Sequence, residues 1–495
     1  MFCKRPKNHI FRLILRLVFM TLLNFHLHQK ISLKMSTKQV FALVLAGGML
    51  LAAGCKGKES SDVANPLYNS VSQNSSDQSG TFLVDWWKQL FSFVASEKLS
   101  PPDASRMYAY IGTTMYEAQV CGAPDYMSLE GQLNELKDLP RPNKDEVYDW
   151  TTVTIESVYY VQDEMLGRYL PAGVAAINKL HEKQISERAA TVPEDVMMRS
   201  KEYGRALADA IIAWSETDGY ERTRYEQYKA PSREGHPEYW EPTDFNQTAL
   251  EPFWGTHRTF AVPNNKMCDV DMKFAYDTDP NSDFYKEAME VYTVDKNLTE
   301  DQRIVAQYWA DDPGETATPP GHWINMSCNF VLAENWNLEK AAEMYALVAV
   351  SMQDACISLW HTKYRVNLVR PKTYIEENIE PGWEPYVETP PFPGYTSGHS
   401  GFSGAAAEVM TALIGDNKPF TDSTHVKIGL EPKTFNSFRD AAQEAAYSRM
   451  YGGIHYTCEI MDGLEQGKCA GDYVLNKIVT DTHRKGMKSE EVAAK

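Results

Sequence analysis

The run 337-NLEKAAEMYALVAVSMQDACISLW-360 constrains the fold more than any other stretch of the chain. Asn337 is a candidate N-cap, and Leu338, Ala341, Ala342, Tyr345, Val348, Met352, Ala355, Cys356 and Leu359 recur at helical spacing. Small and apolar residues run nearly all round it, so it predicts a central helix covered on every side by others. The run 436-NSFRDAAQEAAYSRMY-451 predicts a second helix. Ser437 and Asp440 give it a capping-box-like start, Phe438, Ala441, Ala442 and Ala445 its apolar face, and Gly452-Gly453 its stop. Further helical stretches fall at 100–118, 145–167, 171–187, 195–216, 299–311, 401–414 and 459–480. Strand-like alternation is scarce and there is no internal repeat. From about 220 to 296 the chain is rich in Pro, Tyr, Trp, Asn and Asp, which reads as long ordered loops over a helical core. The expected class is all-α: two packed helical bundles, an N-terminal half over 81–335 and a C-terminal half over 336–485.

The first 54 residues do not read as fold. They hold two apolar runs, 11-FRLILRLVFMTLLNF-25 and 40-VFALVLAGGMLLAAG-54. Lys38 precedes the second, which ends 51-LAAGC-55. This is the pattern of a bacterial lipoprotein signal, with Met35 placed as an alternative start. A membrane anchor is the competing reading, although each run is short for a span. On the lipoprotein reading Cys55 carries the lipid, and the rest of the chain is extracytoplasmic and tied to a bacterial membrane. The Ser/Asn/Asp/Gly-rich segment over 55–80 then reads as a flexible tether.

Charge narrows the function. The whole chain carries −18; the first 54 residues hold eight Lys/Arg and no Asp/Glu, leaving −26 for the remainder. Such a chain is a poor binder of nucleic acid, and an anionic small-molecule substrate would need a local basic cluster. Beyond Cys3 and Cys55 the cysteines are 121, 268, 328, 356, 458 and 469, and no Cys/His spacing suggests a zinc site.

That local cluster is written in three pieces. In 360-WHTKYRVNLVRP-371, six residues separate Lys363 from Arg370. In 390-PPFPGYTSGHSG-401, Ser397, Gly398 and His399 stand at a helix start, where free N–H groups attract anions. In 447-YSRMYGGIHYTCE-459, five residues separate Arg449 from His455 across the Gly-Gly break. Together they offer three cations with the forked geometry that suits a tetrahedral oxyanion, and two histidines able to attack or exchange protons around it.

Lys-x6-Arg-Pro, then Ser-Gly-His, then Ser-Arg-x5-His resembles the type 2 phosphatidic acid phosphatase and vanadium haloperoxidase superfamily. The likeness is specific over roughly 360–460. It extends to 309-WADDPGETATPP-320, which is similar to the haloperoxidase branch, and to 98-KLSPPDASRMYAYIGTTMYEA-118, similar to its lipoprotein members. The resemblance implies that Lys363, Arg370, Ser397, Gly398 and Arg449 hold the oxyanion. It makes His455 the apical vanadium ligand, or the nucleophile of a phosphatase, and His399 the acid–base partner. It implies that Asp312 pairs with Arg449, and that Trp360 and Phe392 flank a halide pocket; core packing is the other reading of those two.

Two positions depart from the pattern. Thr396 stands where Pro is usual, which predicts a change in turn stiffness alone. Glu459 stands where an Asp orients the second histidine. Its extra methylene leaves two outcomes: it reaches the ring at another angle, or it misses. Cys458 and Cys469, eleven residues apart, are one candidate pair to stiffen this corner. Three functions follow. The resemblance to the haloperoxidase branch implies vanadate as cofactor and halide oxidation by peroxide. The alternatives are a phosphatase hydrolysing phosphomonoesters through a phosphohistidine without a cofactor, and a non-catalytic surface lipoprotein that binds phosphate.

Overall fold

A computed structural model describes residues 65–167, 171–244 and 247–481. The leader, Met35, Cys55 and the first part of the expected tether lie outside the described residues. The N-terminal half contains α1 (Leu83–Ser96), α2 (Pro101–Val120), α3 (Trp150–Gly167), α4 (Pro171–Ala189), α5 (Glu194–Ser215), the short α6 (Tyr220–Thr223), α7 (Asp283–Lys296), α8 (Glu300–Tyr308) and α9 (Thr318–Ala333). The C-terminal half contains α10 (Leu338–Val366), α11 (Pro371–Asn378), α12 (Gly398–Ile414), α13 (Phe438–Tyr451) and α14 (Thr457–Lys477). Among the described residues the one sheet is a hairpin of β1 (Phe420–Asp422) and β2 (Lys433–Phe435). No helix among the described residues is long and apolar enough to cross a membrane.

The expected central helix is α10. Asn337 caps it, its side chain accepting from Lys340 N at 3.0 Å, and nearly every residue from Leu338 to Lys363 is buried. It packs on α2 on one side and on α12 and α14 on the other, so the two helical groups share one continuous apolar core. Its buried polar groups are matched. The Asp354 carboxylate accepts from the N–H groups of Phe260, Ala261 and Val262 at 2.5, 2.7 and 2.8 Å, which fastens the long Pro- and Trp-rich segment to the core. That segment is mostly loop, as its composition predicts, but it ends in α7, where Ser282 caps a helix that the polar pattern hid.

The expected tether is corrected from Asn65 onward. The Asn65 side chain donates to Val120 O and Ala123 O at 2.8 and 2.9 Å, Ser75 donates to Gln119 O at 2.8 Å, and Gly80 N donates to Trp336 O at 2.9 Å. The Asn and Ser residues that resemble a linker here satisfy the last carbonyls of α2, a role their short polar side chains serve equally well.

Candidate active site

The three sequence pieces fall at three helix boundaries that face one cavity. Asn367 adopts the left-handed conformation (φ 55°) and ends α10 just past Lys363; the chain then turns so that Arg370 caps α11 with Pro371 at its first position. Ser397 caps α12, its Oγ accepting from Ser400 N, and leaves the N–H groups of Gly398 and His399 without intrahelical partners. Arg449 lies in the last turn of α13. Gly453, at φ 78°, turns the chain back so that His455 comes directly before α14. The cavity has a volume of about 140 Å³, several times a water molecule's share of roughly 30 Å³. His399, His455, Arg449, Gly398, Trp360 and Phe392 line it.

Each cation is buried and held by backbone carbonyls. Arg370 donates from Nε to Phe392 O at 2.8 Å and from Nη1 to Ile454 O at 3.0 Å, while its buried Nη2 has no protein partner. Arg449 donates from Nε to Ser448 Oγ and from Nη2 to Ala306 O, and its Nη1 lies 3.4 Å from His399 Nε2. The Lys363 ammonium donates to the carbonyls of Pro393, Gly394 and Thr396. Burial pulls Arg370 and Arg449 down to about 10, which leaves both charged at neutral pH; burial and then Arg370 also lower Lys363. The buried carboxylate against this group is Glu459, so positive charge is in excess and an orphaned guanidinium nitrogen waits for an acceptor. An oxyanion satisfies both demands, and the residues present fit vanadate or phosphate.

Glu459 reaches the ring. Its Oε2 lies 2.6 Å from His455 Nδ1 and 3.2 Å from Tyr456 N, so it caps α14 from the third position and orients His455 together. The extra methylene is accommodated because residue 394 is glycine: a Cβ there would stand 2.2 Å from Glu459 Oε1. Burial pushes Glu459 up to about 8 against the pull of Arg370 and Lys363, and either ionisation state leaves Oε2 as the acceptor. Arg370 Nη1 sits 3.2 Å from His455 Nε2 and Glu459 Oε2 lies against Nδ1, which together assign the proton to Nδ1 and make Nε2 the acceptor that Arg370 covers. Burial, then Arg370 and Lys363, hold His455 well below its usual range, so the ring stays neutral.

A family model, the VCPO second helical-bundle domain, matches residues 343–483. The chain is similar to a protein of known crystal structure described as the first bacterial vanadium-dependent iodoperoxidase, at 34% identity and a TM-score of 0.76, over 82% of this chain and 97% of that one. The chain belongs to the vanadium haloperoxidase family. Bacterial vanadium-dependent chloroperoxidases, holo and apo, share its fold at 15% identity, with TM-scores of 0.59 and 0.58 over 78% and 77% of this chain and 96% and 95% of theirs. No curated protein matches it.

This haloperoxidase-family enzyme departs from the sequence reading in three places. Asp312 is exposed at the cavity rim. Among the described residues it makes no ion pair with Arg449, whose guanidinium is spent on Ser448, Ala306 and His399, and its charge acts on Arg449 through space. The buried member of the Asp-Asp pair is Asp311, turned away toward His322 and His425. Thr396 does more than loosen a turn: its hydroxyl donates to Gln466 Oε1 at 2.7 Å, and Gln466 Nε2 donates to Ser358 and Thr362 on α10. Cys469 pairs with Cys268, and Cys458 is free. The sequence reading missed the Gln466 link and the Ala310 carbonyl, 3.2 Å from His399 Nε2, because a lone Gln and a backbone carbonyl carry no motif.

Burial and Arg449 push His399 down to about 3, so these protein groups favour the neutral ring. An anion in the cavity favours the imidazolium, and the sign is proton uptake on binding. Calorimetry with inorganic phosphate, in buffers of different ionisation enthalpy, is expected to show more proton uptake by the native protein than by His399→Ala.

Proposed function

We propose that the enzyme binds vanadate in this cage and oxidises halide with peroxide. The observation that carries this is the pairing of a buried cation cage with an aromatic wall. Trp360 and Phe392 lie 5.3 Å apart, and the Lys363 ammonium stands 5.0 Å from the Phe392 ring. Pro101, Pro313, Pro319, Pro390 and Pro391 frame the cavity and stiffen it. A small, rigid, aromatic-sided space suits peroxide and a halide better than the organic half of a phosphoester.

In this reading Arg370, Arg449, Lys363, Ser397 and the Gly398 N–H balance the oxyanion's charge, and His455 Nε2 is the ligand atom. When bound, vanadate supplies a Lewis-acidic centre that makes peroxide electrophilic without changing its own oxidation state. His399, with Nε2 placed against Ala310 O and near Arg449 Nη1, would be the residue that takes up and returns a proton when an oxyanion is bound. Trp360 and Phe392 exclude water and give halide a polarisable wall beside a positive charge.

We further propose that Cys55 is lipidated and anchors the enzyme to a bacterial membrane outside the cytoplasm. The Cys268–Cys469 disulfide supports an oxidising compartment. The testing experiment measures iodide and bromide oxidation by peroxide, and para-nitrophenyl phosphate hydrolysis, on the purified protein with and without vanadate. Halide oxidation switched on by vanadate is the expected result. Hydrolysis that vanadate inhibits, with no halide oxidation, makes the enzyme a phosphatase; phosphate binding with neither reaction makes it a binding protein.

A further inference from the structure

Behind the oxyanion cavity, four residues from three segments converge in the interior: Asp311 after α8, His322 near the start of α9, and Asp422 and His425 at and just after the end of β1. All four are buried. His322 Nδ1 lies 2.9 Å from Asp311 Oδ2, and His425 Nε2 lies 3.0 Å from Asp311 Oδ1. One ligand atom from each of Asp311, His322 and His425 falls within 4.8 Å of the others.

Three features separate this cluster from an ordinary buried ion pair. First, Asp311 Oδ1 and His425 Nε2 are close but not aligned as a hydrogen bond, and both remain buried without a partner. Two polar atoms aimed past each other cost free energy unless a third body sits between them. Second, the far nitrogen of His322 lies 2.7 Å from Asp422 Oδ2. Asp422 is itself held by the Tyr308 hydroxyl at 2.7 Å and by Thr424 N at 2.9 Å. That is how a carboxylate fixes the tautomer of a metal-binding histidine. Third, Asp311 adopts a left-handed backbone (φ 51°), an uncommon conformation for a non-glycine residue, and its two carboxylate oxygens reach one nitrogen of each ring, the rings packing edge to face at 4.5 Å.

The geometry points to a divalent cation site of zinc type held by Asp311, His322 and His425, with Asp422 as the positioning residue. Ligand atoms of a tetrahedral site with bonds of about 2.0–2.1 Å lie about 3.3 Å apart. His322 Nδ1 is 2.9 Å from Asp311 Oδ2 and His425 Nε2 is 3.0 Å from Asp311 Oδ1, so a rotation of the carboxylate and a small closure from the 4.8 Å span bring one oxygen and the two nitrogens to a common ion. The set is nitrogen and carboxylate oxygen without sulfur, with two carboxylates to balance a dication, which suits zinc and the other borderline first-row dications rather than calcium or magnesium. A separate cavity of about 310 Å³, lined by the same three residues with Glu315, Asn325 and Thr424, gives an entry path and room for a fourth ligand such as water. The site also braces the catalytic cavity, because Ala310, whose carbonyl receives His399, and Asp312, at the rim, flank Asp311.

The test uses the full-length protein, stripped with a chelator, dialysed, and titrated with zinc sulfate. Calorimetry and elemental analysis are expected to show one zinc per chain and a rise in melting temperature. His425→Ala abolishes that uptake, Asp422→Asn weakens it by about 10- to 100-fold, and His455→Ala, outside the cluster, retains it. Cobalt loading, read as four-coordinate visible bands, gives the same order without depending on activity. A native protein that takes up no zinc while its circular dichroism is unchanged overturns the proposal and leaves His322 as an imidazolium clamped between two carboxylates. Equal uptake by a folded His425→Ala protein overturns it as well.

Discussion

Replacing His455 with alanine is expected to lower kcat for halide oxidation by about a thousandfold or more, while inorganic phosphate still binds within about tenfold of the native affinity. The two effects separate because His455 supplies an electron pair and the cage supplies the charge. Its Nε2 faces Arg370 Nη1 and the cavity, and removing the ring leaves Arg370 still bonded to Phe392 O and Ile454 O. The cations therefore stay in place and continue to attract an anion, but the atom that engages its centre is gone. The measurement pairs steady-state kinetics in vanadate with phosphate titration of the same preparation. A proportionate loss of both quantities would mean that His455 is only a wall of the cage.

The second large effect is on the fold. Gly467→Ala is expected to destabilise the protein by about 1–3 kcal/mol or more, read as a lower denaturation midpoint. A Cβ at 467 would lie 2.0 Å from the Gly401 carbonyl oxygen, and this is backbone, which cannot swing aside. The whole α12–α14 seam is built this way: a Cβ at Gly404 would meet Leu464 O at 2.6 Å, one at Gly463 would meet Ser397 O at 2.7 Å, and one at Gly471 would meet Ala405 O at 2.9 Å. Because α12 opens on Ser397 and His399 and α14 opens after His455 with Glu459 in its first turn, spreading the seam also moves the two histidines apart. Activity is expected to fall in the fraction that stays folded. Gly167→Ala is the control: a Cβ there meets only Val174 Cγ2 at 4.0 Å, so its stability change stays within about 0.5 kcal/mol.

What could be read from the sequence follows from how local each signal is. The runs at 337–360 and 436–451 carry cap, face and stop within a few turns, and α10 and α13 form with Asn337 and Ser437 as caps. α9 stayed hidden because it begins Thr-Pro-Pro, which reads as loop until the prolines are seen to occupy the first turn, where no N–H is needed. The cage residues were legible because each piece is short and its chemistry shows in residue type alone. That Asp312 would lie exposed and unpaired with Arg449 while Asp311 is buried was not, since adjacent aspartates point to opposite sides and only packing decides which one is buried. The Asp311–His322–Asp422–His425 cluster had no local signature at all: its members are scattered along the chain and meet only when α9 and the β hairpin close on the end of α8.

The three proton bonds of Lys363 carry one more consequence. All of them are committed to the carbonyls of Pro393, Gly394 and Thr396, so the ammonium contributes field rather than touch. A guest in this cavity is admitted first by how much negative charge it brings and only afterwards by its outline. The enzyme thus has a coarse filter set in its main chain and a fine one left to two arginines and two imidazoles. A change of chemistry at this address needs new neighbours for the guest, not a new lock on the door.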